Sequence, residues 1–233
     1  MRKEIYVGEV AMQENPYYKK IVIVGGGFAG LNVAKGLANS GCSVTLIDRT
    51  NHHLFQPLLY QVATAAVSPA EIAIPFREIL KKASNISVLM GEVEQIDTHN
   101  KCLYLKDKET IAYDALVIAT GARHSYFGQT GWEKNAPGLK TLPDALALRN
   151  KILSAFEWAE SMKRLKGKEV PLNFIIIGGG PTGVEMAGAL AELSKHTLKN
   201  NFRHIDPSQA KVFLIEAVDR LLPVYPPALS SYT

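Results

Sequence analysis

At 233 residues, with 47% hydrophobic and 21% charged side chains, the chain has the composition of an ordinary soluble protein and is long enough for one large or two small well-buried domains. Its formal net charge of +4 is too mild for the dense basic stripe of a nucleic-acid binder, although it suits an anionic membrane surface. Two cysteines, Cys42 and Cys102, show no CxxC or Cys/His ligand spacing, which argues against a structural zinc or other metal site and against a secreted disulfide scaffold.

Residues 1–18 lack the apolar core of a signal peptide and read as a flexible N-terminal extension. From Lys19 the pattern alternates between strand and helix, which predicts an α/β fold built on parallel sheet. "IVIVG" is a short apolar strand, "GLNVAKGLANSG" a helix stopped by Gly41, and "SVTLIDR" a second strand with Asp48 near its end. The following stretch, "TNHHLFQPLLYQVATAAVSPA", is free of Asp, Glu, Lys and Arg, but two prolines and several polar residues argue against a membrane span. A helix is expected around "AIPFREILKKA". "ISVLMGEVEQIDT" and "CLYLKDKETIAY" are expected to form a hairpin or meander, and "DALVIATGA" a buried strand closing on a glycine turn.

"LPDALALRNKILSAFEWAESMK" carries Ala145, Leu148, Ile152, Ala155, Phe156 and Ala159 at helical spacing. The basic "KRLKGK" after it reads as a solvated linker. Strand, glycines and helix then recur in "NFIIIGGGPTGVEMAGALAEL", and "AKVFLIEA" repeats the role of "SVTLIDR". The chain therefore holds two βαβ beginnings.

Each glycine loop fits G-x-G-x-x-G: Gly25, Gly27 and Gly30, then Gly178, Gly180 and Gly183, with an offset of 178 − 25 = 153 residues. The first glycine of such a loop makes the tight turn after the strand. The second lets backbone approach a pyrophosphate, and the third lets the helix pack close to the sheet, helped here by Ala34 and Ala187. The helix N-terminus then faces phosphate with free N–H groups and a partial positive charge. Asp48 lies 48 − 25 = 23 residues after the first glycine, near the spacing of about 20 expected for an acid that binds an adenosine ribose. Glu216 lies 216 − 178 = 38 residues after Gly178, with the polar "SKHTLKNNFRHIDPSQ" as the insertion responsible. Because "VFLIEA" parallels "VTLIDR", Glu216 is given the same role. Two such sites in one chain suggest a tightly bound flavin at one and a diffusible nicotinamide cofactor at the other.

With these motifs in place, the sequence resembles the flavoprotein pyridine-nucleotide oxidoreductases. "YDALVIATGA" is similar to their ATG motif, where the chain crosses between the FAD and NAD domains. "NHHLFQPLLYQVAT" together with "GGGPTGVEMAGALAE" resembles most the type II NADH dehydrogenases, which are single-subunit NADH:quinone oxidoreductases peripheral to the membrane. The resemblance implies two Rossmann-like dinucleotide-binding domains, the second incomplete: 19–142 for FAD, and 143–233 for a linker helix and the NAD domain. It implies FAD on Gly25, Gly26, Gly27, Phe28, Ala29 and Gly30, and on Asp48, Arg49 and His53. Backbone at Val93 and at Ala119, Thr120 and Gly121 would also contact FAD, with Pro57 and Leu58 near the flavin ring. NADH would lie on Gly178, Gly179, Gly180, Pro181, Thr182 and Gly183, with Glu216 on its ribose. The resemblance gives Glu185, expected in the first helical turn, a part in NADH or quinone handling and proton movement, which makes it the candidate catalytic side chain; a carboxylate stabilising a helix N-terminus stands beside that reading.

The same resemblance implies a quinone as partner, homodimers at full length and a place on the cytoplasmic face of the inner membrane. Membrane contact and part of the quinone site would come from C-terminal amphipathic helices. Only 233 − 216 = 17 residues follow Glu216, and no second Gly-Asp flavin motif appears, so the chain reads as a C-terminally truncated piece of a longer enzyme. Disulfide reductases are excluded because no cysteine lies between Cys42 and Cys102, and sulfide:quinone oxidoreductases because none lies beyond the ATG motif. An NADH-dependent reductase of a protein acceptor such as ferredoxin stays open, as does a nucleotide-binding module without turnover.

Overall fold

A computed structural model describes residues 19–129 and 131–232; the N-terminal extension expected at 1–18 lies outside the described residues. Strand β1 (Lys20–Val24) is buried at every position but its first. Such a run, apolar on both faces, is what a central parallel strand requires. It pairs with β2 (Ser43–Asp48) and β7 (Ala115–Ile118), and β3 (Ile86–Met90) adds outside β2, so the sheet reads β3-β2-β1-β7 and is parallel throughout. Between β1 and β2 runs helix α1 (Phe28–Gly36).

Alternation along the strands sends Ile21, Ile23, Val44 and Leu46 to one face, where they pack with Leu31 and Ala34 of α1 and with Phe76 of the short helix Phe76–Ile79. Val22, Val24 and Ile47 go to the other face and meet Leu103, Leu105 and Tyr113. That second layer is the antiparallel meander β4 (Val93–Asp97), β5 (Cys102–Leu105) and β6 (Thr110–Ala112). The expected hairpin is thus divided. "ISVLM" joins the parallel sheet, and the chain breaks at Gly91, whose N–H donates to the Asp48 carbonyl at 2.8 Å. Asp114 ties the start of β1 to β7 by accepting the Lys19 and Lys20 N–H groups at 2.9 and 2.8 Å.

Compactness divides the chain differently from the boundary expected at residue 142. One unit comprises the described residues up to His53 together with Ile74–Ala122; the other comprises Leu54–Ala73 and the described residues from Arg123 onward. The physical reason is burial. Helix α2 (Leu59–Ala63) places Leu59, Val62 and Ala63 among Ala145, Ile152 and Phe156 of α3 (Leu142–Lys166) and Met186 and Leu190 of α4 (Pro181–Glu192). The second unit's sheet is the parallel pair β8 (Asn173–Ile177) and β9 (Lys211–Ile215).

Helix α3 opens on a capping box: Thr141 accepts the Asp144 N–H at 3.3 Å and Asp144 accepts the Thr141 N–H at 2.8 Å. It ends at Gly167, whose φ of +62° is left-handed. Lys163–Lys166 therefore belong to the helix and not to a linker, because lysine, arginine and leucine are good helix formers and cations favour the last turn. Among the described residues no helix is long and apolar enough to cross a membrane.

Candidate functional site

In the first unit, β1 runs straight into the glycine loop. Gly25 has φ +100°, and a Cβ there would lie 2.3 Å from the Ala119 oxygen, so only glycine fits. Its N–H donates to the Ile47 carbonyl at 2.8 Å, while Ala119 N–H donates to Val24 at 2.8 Å. The loop is thereby sewn to both neighbouring strands, with Ala119 and Thr120 beside Gly25 and Gly121 next in the chain. Gly30 sits where a Cβ would come within 1.8 Å of the Gly25 oxygen, which is the close helix–loop packing read from the motif. Among the described residues a Cβ on Gly27 would meet nothing within 4 Å, so that position opens outward. No side chain caps α1, whose N-cap is Gly27.

The acid closes the loop. Asp48 accepts the Gly26 N–H on one oxygen at 2.6 Å, and on the other the Thr50 N–H and hydroxyl, both at 2.8 Å. His53 approaches the same loop through Nδ1, 3.0 Å from the Gly26 carbonyl oxygen. Since a carbonyl only accepts, Nδ1 carries the proton and Nε2 is left as the acceptor nitrogen or a second donor. The His53 ring also meets Phe28 edge-on at 5.1 Å. Arg49 is exposed, and Val93 starts β4 opposite Leu105.

The second unit repeats the main features of this geometry, although a Gly178 Cβ would meet nothing within 4 Å among the described residues, where a Gly25 Cβ would strike Ala119. Gly178 has φ +105° and donates its N–H to Ile215 at 2.8 Å, as Gly25 does to Ile47. A Gly183 Cβ would lie 1.9 Å from the Gly178 oxygen; Gly180 opens outward like Gly27. Glu216 accepts the Gly179 N–H at 2.6 Å, and its other oxygen takes the Ala217 N–H at 2.6 Å. These backbone donors, Gly179 first, hold the Glu216 carboxyl below the usual carboxylate range. Pro181 opens α4 with Thr182 beside it, and again no side chain caps the helix. The longer spacing to Glu216 leaves the pairing intact: β8 meets β9 from Asn173↔Lys211 to Ile177↔Ile215, as β1 meets β2 from Lys20↔Ser43 to Val24↔Ile47.

The extra residues form a π turn (Leu193–Thr197) and a 3₁₀ turn (Pro207–Gln209). Glu160 of α3 gathers them, accepting the N–H groups of Arg203, His204 and Ile205 at 3.2, 3.0 and 3.1 Å and the His204 Nδ1–H at 2.6 Å. Its carboxyl is pulled down to about 2, chiefly by the His204 side chain.

Two placements differ from expectation. Glu185 is the fifth residue of α4, past its first turn, because the helix begins at Pro181; it is exposed, and the helix-terminus reading falls. Pro57 lies exposed in a 3₁₀ turn (Gln56–Leu58) that belongs to the second unit. Sequence reasoning also missed why each loop has a third adjacent glycine. A Cβ on Gly26 would stand 2.1 Å from the Phe76 ring, and one on Gly179 would stand 2.7 Å from Leu221 Cδ2. The signal was there in "GGG", where the motif asks only for G-x-G.

Residues 19–233 match the pyridine nucleotide-disulphide oxidoreductase family. The chain belongs to that family. Within the pyridine nucleotide-disulphide oxidoreductases it is similar to the type II NADH:quinone oxidoreductase Ndh of Mycobacterium tuberculosis, 49% identical over 211 residues that make up 89% of this chain and 46% of that one. It is likewise 31% identical to the type II NADH:quinone oxidoreductase of Haemophilus influenzae, across 91% of this chain and 54% of that one. A solved structure of the Plasmodium falciparum NDH2 in complex with NADH superposes with a TM-score of 0.81 at 27% identity, over 92% of this chain and 45% of the other. The chain thus spans about half the length of the relatives it matches. Its expected Rossmann-like α/β architecture is that of this family.

Proposed function

We propose that the first unit binds FAD, the second binds NADH, and the protein passes electrons from NADH to a membrane quinone. One observation carries this reading: two glycine loops in the same strand register, each with its terminal acid on the N–H of the middle glycine at 2.6 Å. Identity of 49% to a type II NADH:quinone oxidoreductase supports the choice of donor and acceptor.

The structural fit to dinucleotides lies in the loops. Gly27 and Gly180 leave open space in front of the backbone among the described residues, and the N-cap of each helix is a glycine, so the N-terminal end of each helix dipole faces that space. Asp48 and Glu216 each retain carboxylate lone pairs to accept ribose hydroxyls. Bound flavin supplies two-electron hydride chemistry; the protein supplies orientation and electrostatics. His53 fixes the Gly26 carbonyl, and Glu185 is the side chain to which we assign proton movement. Peripheral attachment at the cytoplasmic membrane face and homodimer formation complete the proposal.

The test is spectroscopic. Produced at the full length of its relatives, the protein should be yellow, lose its visible flavin absorbance on anaerobic NADH addition, and regain it with a short-chain quinone. Protein without flavin, or flavin that NADH does not bleach, defeats the reading; recovery only with a ferredoxin moves the acceptor to a protein.

A further inference from the structure

After Glu216 the chain turns back onto the second glycine loop. Leu222 N–H donates to the Gly179 carbonyl at 2.7 Å, and the Leu221 side chain occupies the space a Gly179 Cβ would need. Leu222 holds a left-handed φ of +49°, which a branched side chain tolerates poorly unless its surroundings impose it. Arg220 is what surrounds it. Its Nη1 donates to the Tyr225 carbonyl at 3.1 Å and its Nη2 to the Pro223 carbonyl at 2.8 Å, so both arms of the guanidinium close the turn that carries Leu221 and Leu222. The Ser230 hydroxyl donates to the Leu221 carbonyl from the other side.

An arginine four residues beyond a ribose-binding acid is, by sequence alone, a candidate to receive a ribose 2′-phosphate. Here one donor on each Nη is already engaged by a backbone carbonyl. Turning the guanidinium to a phosphate would strip two carbonyls of their donor and release the turn held against Gly179.

We propose that Arg220 is a positioning residue: by bridging the Pro223 and Tyr225 carbonyls it presses the Leu221–Leu222 turn onto Gly179 and fixes the loop on which the nucleotide lies, and it receives no 2′-phosphate. This rests on the reading of the second unit as the nicotinamide-nucleotide site. Two consequences follow. Selection against a 2′-phosphate falls to Glu216, whose anionic carboxylate repels it, and Arg220 supplies affinity common to both nucleotide types.

Titrating the purified protein calorimetrically with ADP-ribose and with 2′-phospho-ADP-ribose separates the alternatives without needing turnover. The wild type should prefer ADP-ribose. Arg220→Met and Arg220→Lys should each weaken both ligands by about tenfold, the equivalent of one lost charge-assisted pair, with their ratio kept within about twofold. Lysine retains the charge but lacks the planar fork, so it behaves like methionine if the two-carbonyl bridge matters. Loss confined to the phosphorylated ligand in Arg220→Met, rescued in Arg220→Lys, would make Arg220 a phosphate receiver and overturn the proposal. So would wild-type affinity for both ligands in either variant. Should Arg220→Met not fold, Arg220→Lys decides alone. Wild-type protein that binds neither ligand brings down the nucleotide-site reading itself, an outcome distinct from these.

Discussion

The Asp48 carboxylate accepts the Gly26 N–H at 2.6 Å, across 22 residues of chain, and so fixes the curve of the first glycine loop. Asp48→Asn keeps the shape but loses the charge and one acceptor. A hydrogen bond to a charged group is worth about 1.5–3 kcal/mol, so flavin retention should weaken by roughly 10- to 100-fold. Flavin-to-protein absorbance after gel filtration measures it, and full occupancy in the variant would remove Asp48 from the site.

The glycines of each loop divide into two kinds. Gly30→Ala drives a methyl to within 1.8 Å of the Gly25 oxygen and should prevent folding of the first unit, as Gly183→Ala, at 1.9 Å from the Gly178 oxygen, should for the second. A Cβ at Gly27 or Gly180 meets nothing within 4 Å among the described residues, so Gly27→Leu and Gly180→Leu should fold with near-normal thermal midpoints. The first should lose flavin and the second NADH binding, because the new side chain stands where the backbone would approach a pyrophosphate. Circular dichroism paired with ligand titration distinguishes the two kinds; a Gly27→Leu protein that keeps its flavin contradicts the assignment.

Glu216 should set the preference for NADH over NADPH. Glu216→Gln removes the repulsion of a 2′-phosphate, and the ratio of kcat/KM values should fall by about tenfold or more. The Gly179 and Ala217 N–H groups lower the folded-state pKa of Glu216 below 4.5, so the carboxylate is ionised at every pH above that. Between pH 5 and pH 8 the wild-type ratio should therefore follow only the 2′-phosphate, whose second proton leaves at about pH 6. The same pH dependence in Glu216→Gln, with the wild-type ratio kept, would assign the discrimination to another group.

Glu160 should make the second unit acid-sensitive. Its folded pKa of about 2 lies below the ordinary 4.5, so the stabilisation is complete above pH 4.5 and is lost as pH falls towards 2. Glu160→Gln should lower Tm by several degrees at pH 7, since the loop of Arg203, His204 and Ile205 loses its shared anionic acceptor. The gap between variant and wild type should close on acidification. Parallel Tm curves from pH 7 down to pH 3 would show that the carboxylate's charge plays no part.

Much of this molecule was legible in its residues. The two glycine loops, the strands before them and the acids after them follow from rules that act over a few residues: a positive φ at Gly25 and Gly178, no room for a Cβ at Gly30 and Gly183, and apolar runs that need both faces buried. Even the longer path to Glu216 could be discounted, because strand pattern survives an insertion. What tertiary structure alone decided are the contacts between residues far apart in sequence. Phe76 and Leu221 fill the space that Gly26 and Gly179 leave, Glu160 reaches across to the inserted loop, and α2 leaves its sequence neighbours to bury Leu59 and Val62 against α3 and α4. The same division separates Arg220 as a phosphate receiver, which is all its spacing suggests, from Arg220 as a brace on its own backbone. Spacing reports which groups the chain can bring near a site; which carbonyl or ring each one meets is settled only when the whole unit closes and every buried donor must find an acceptor.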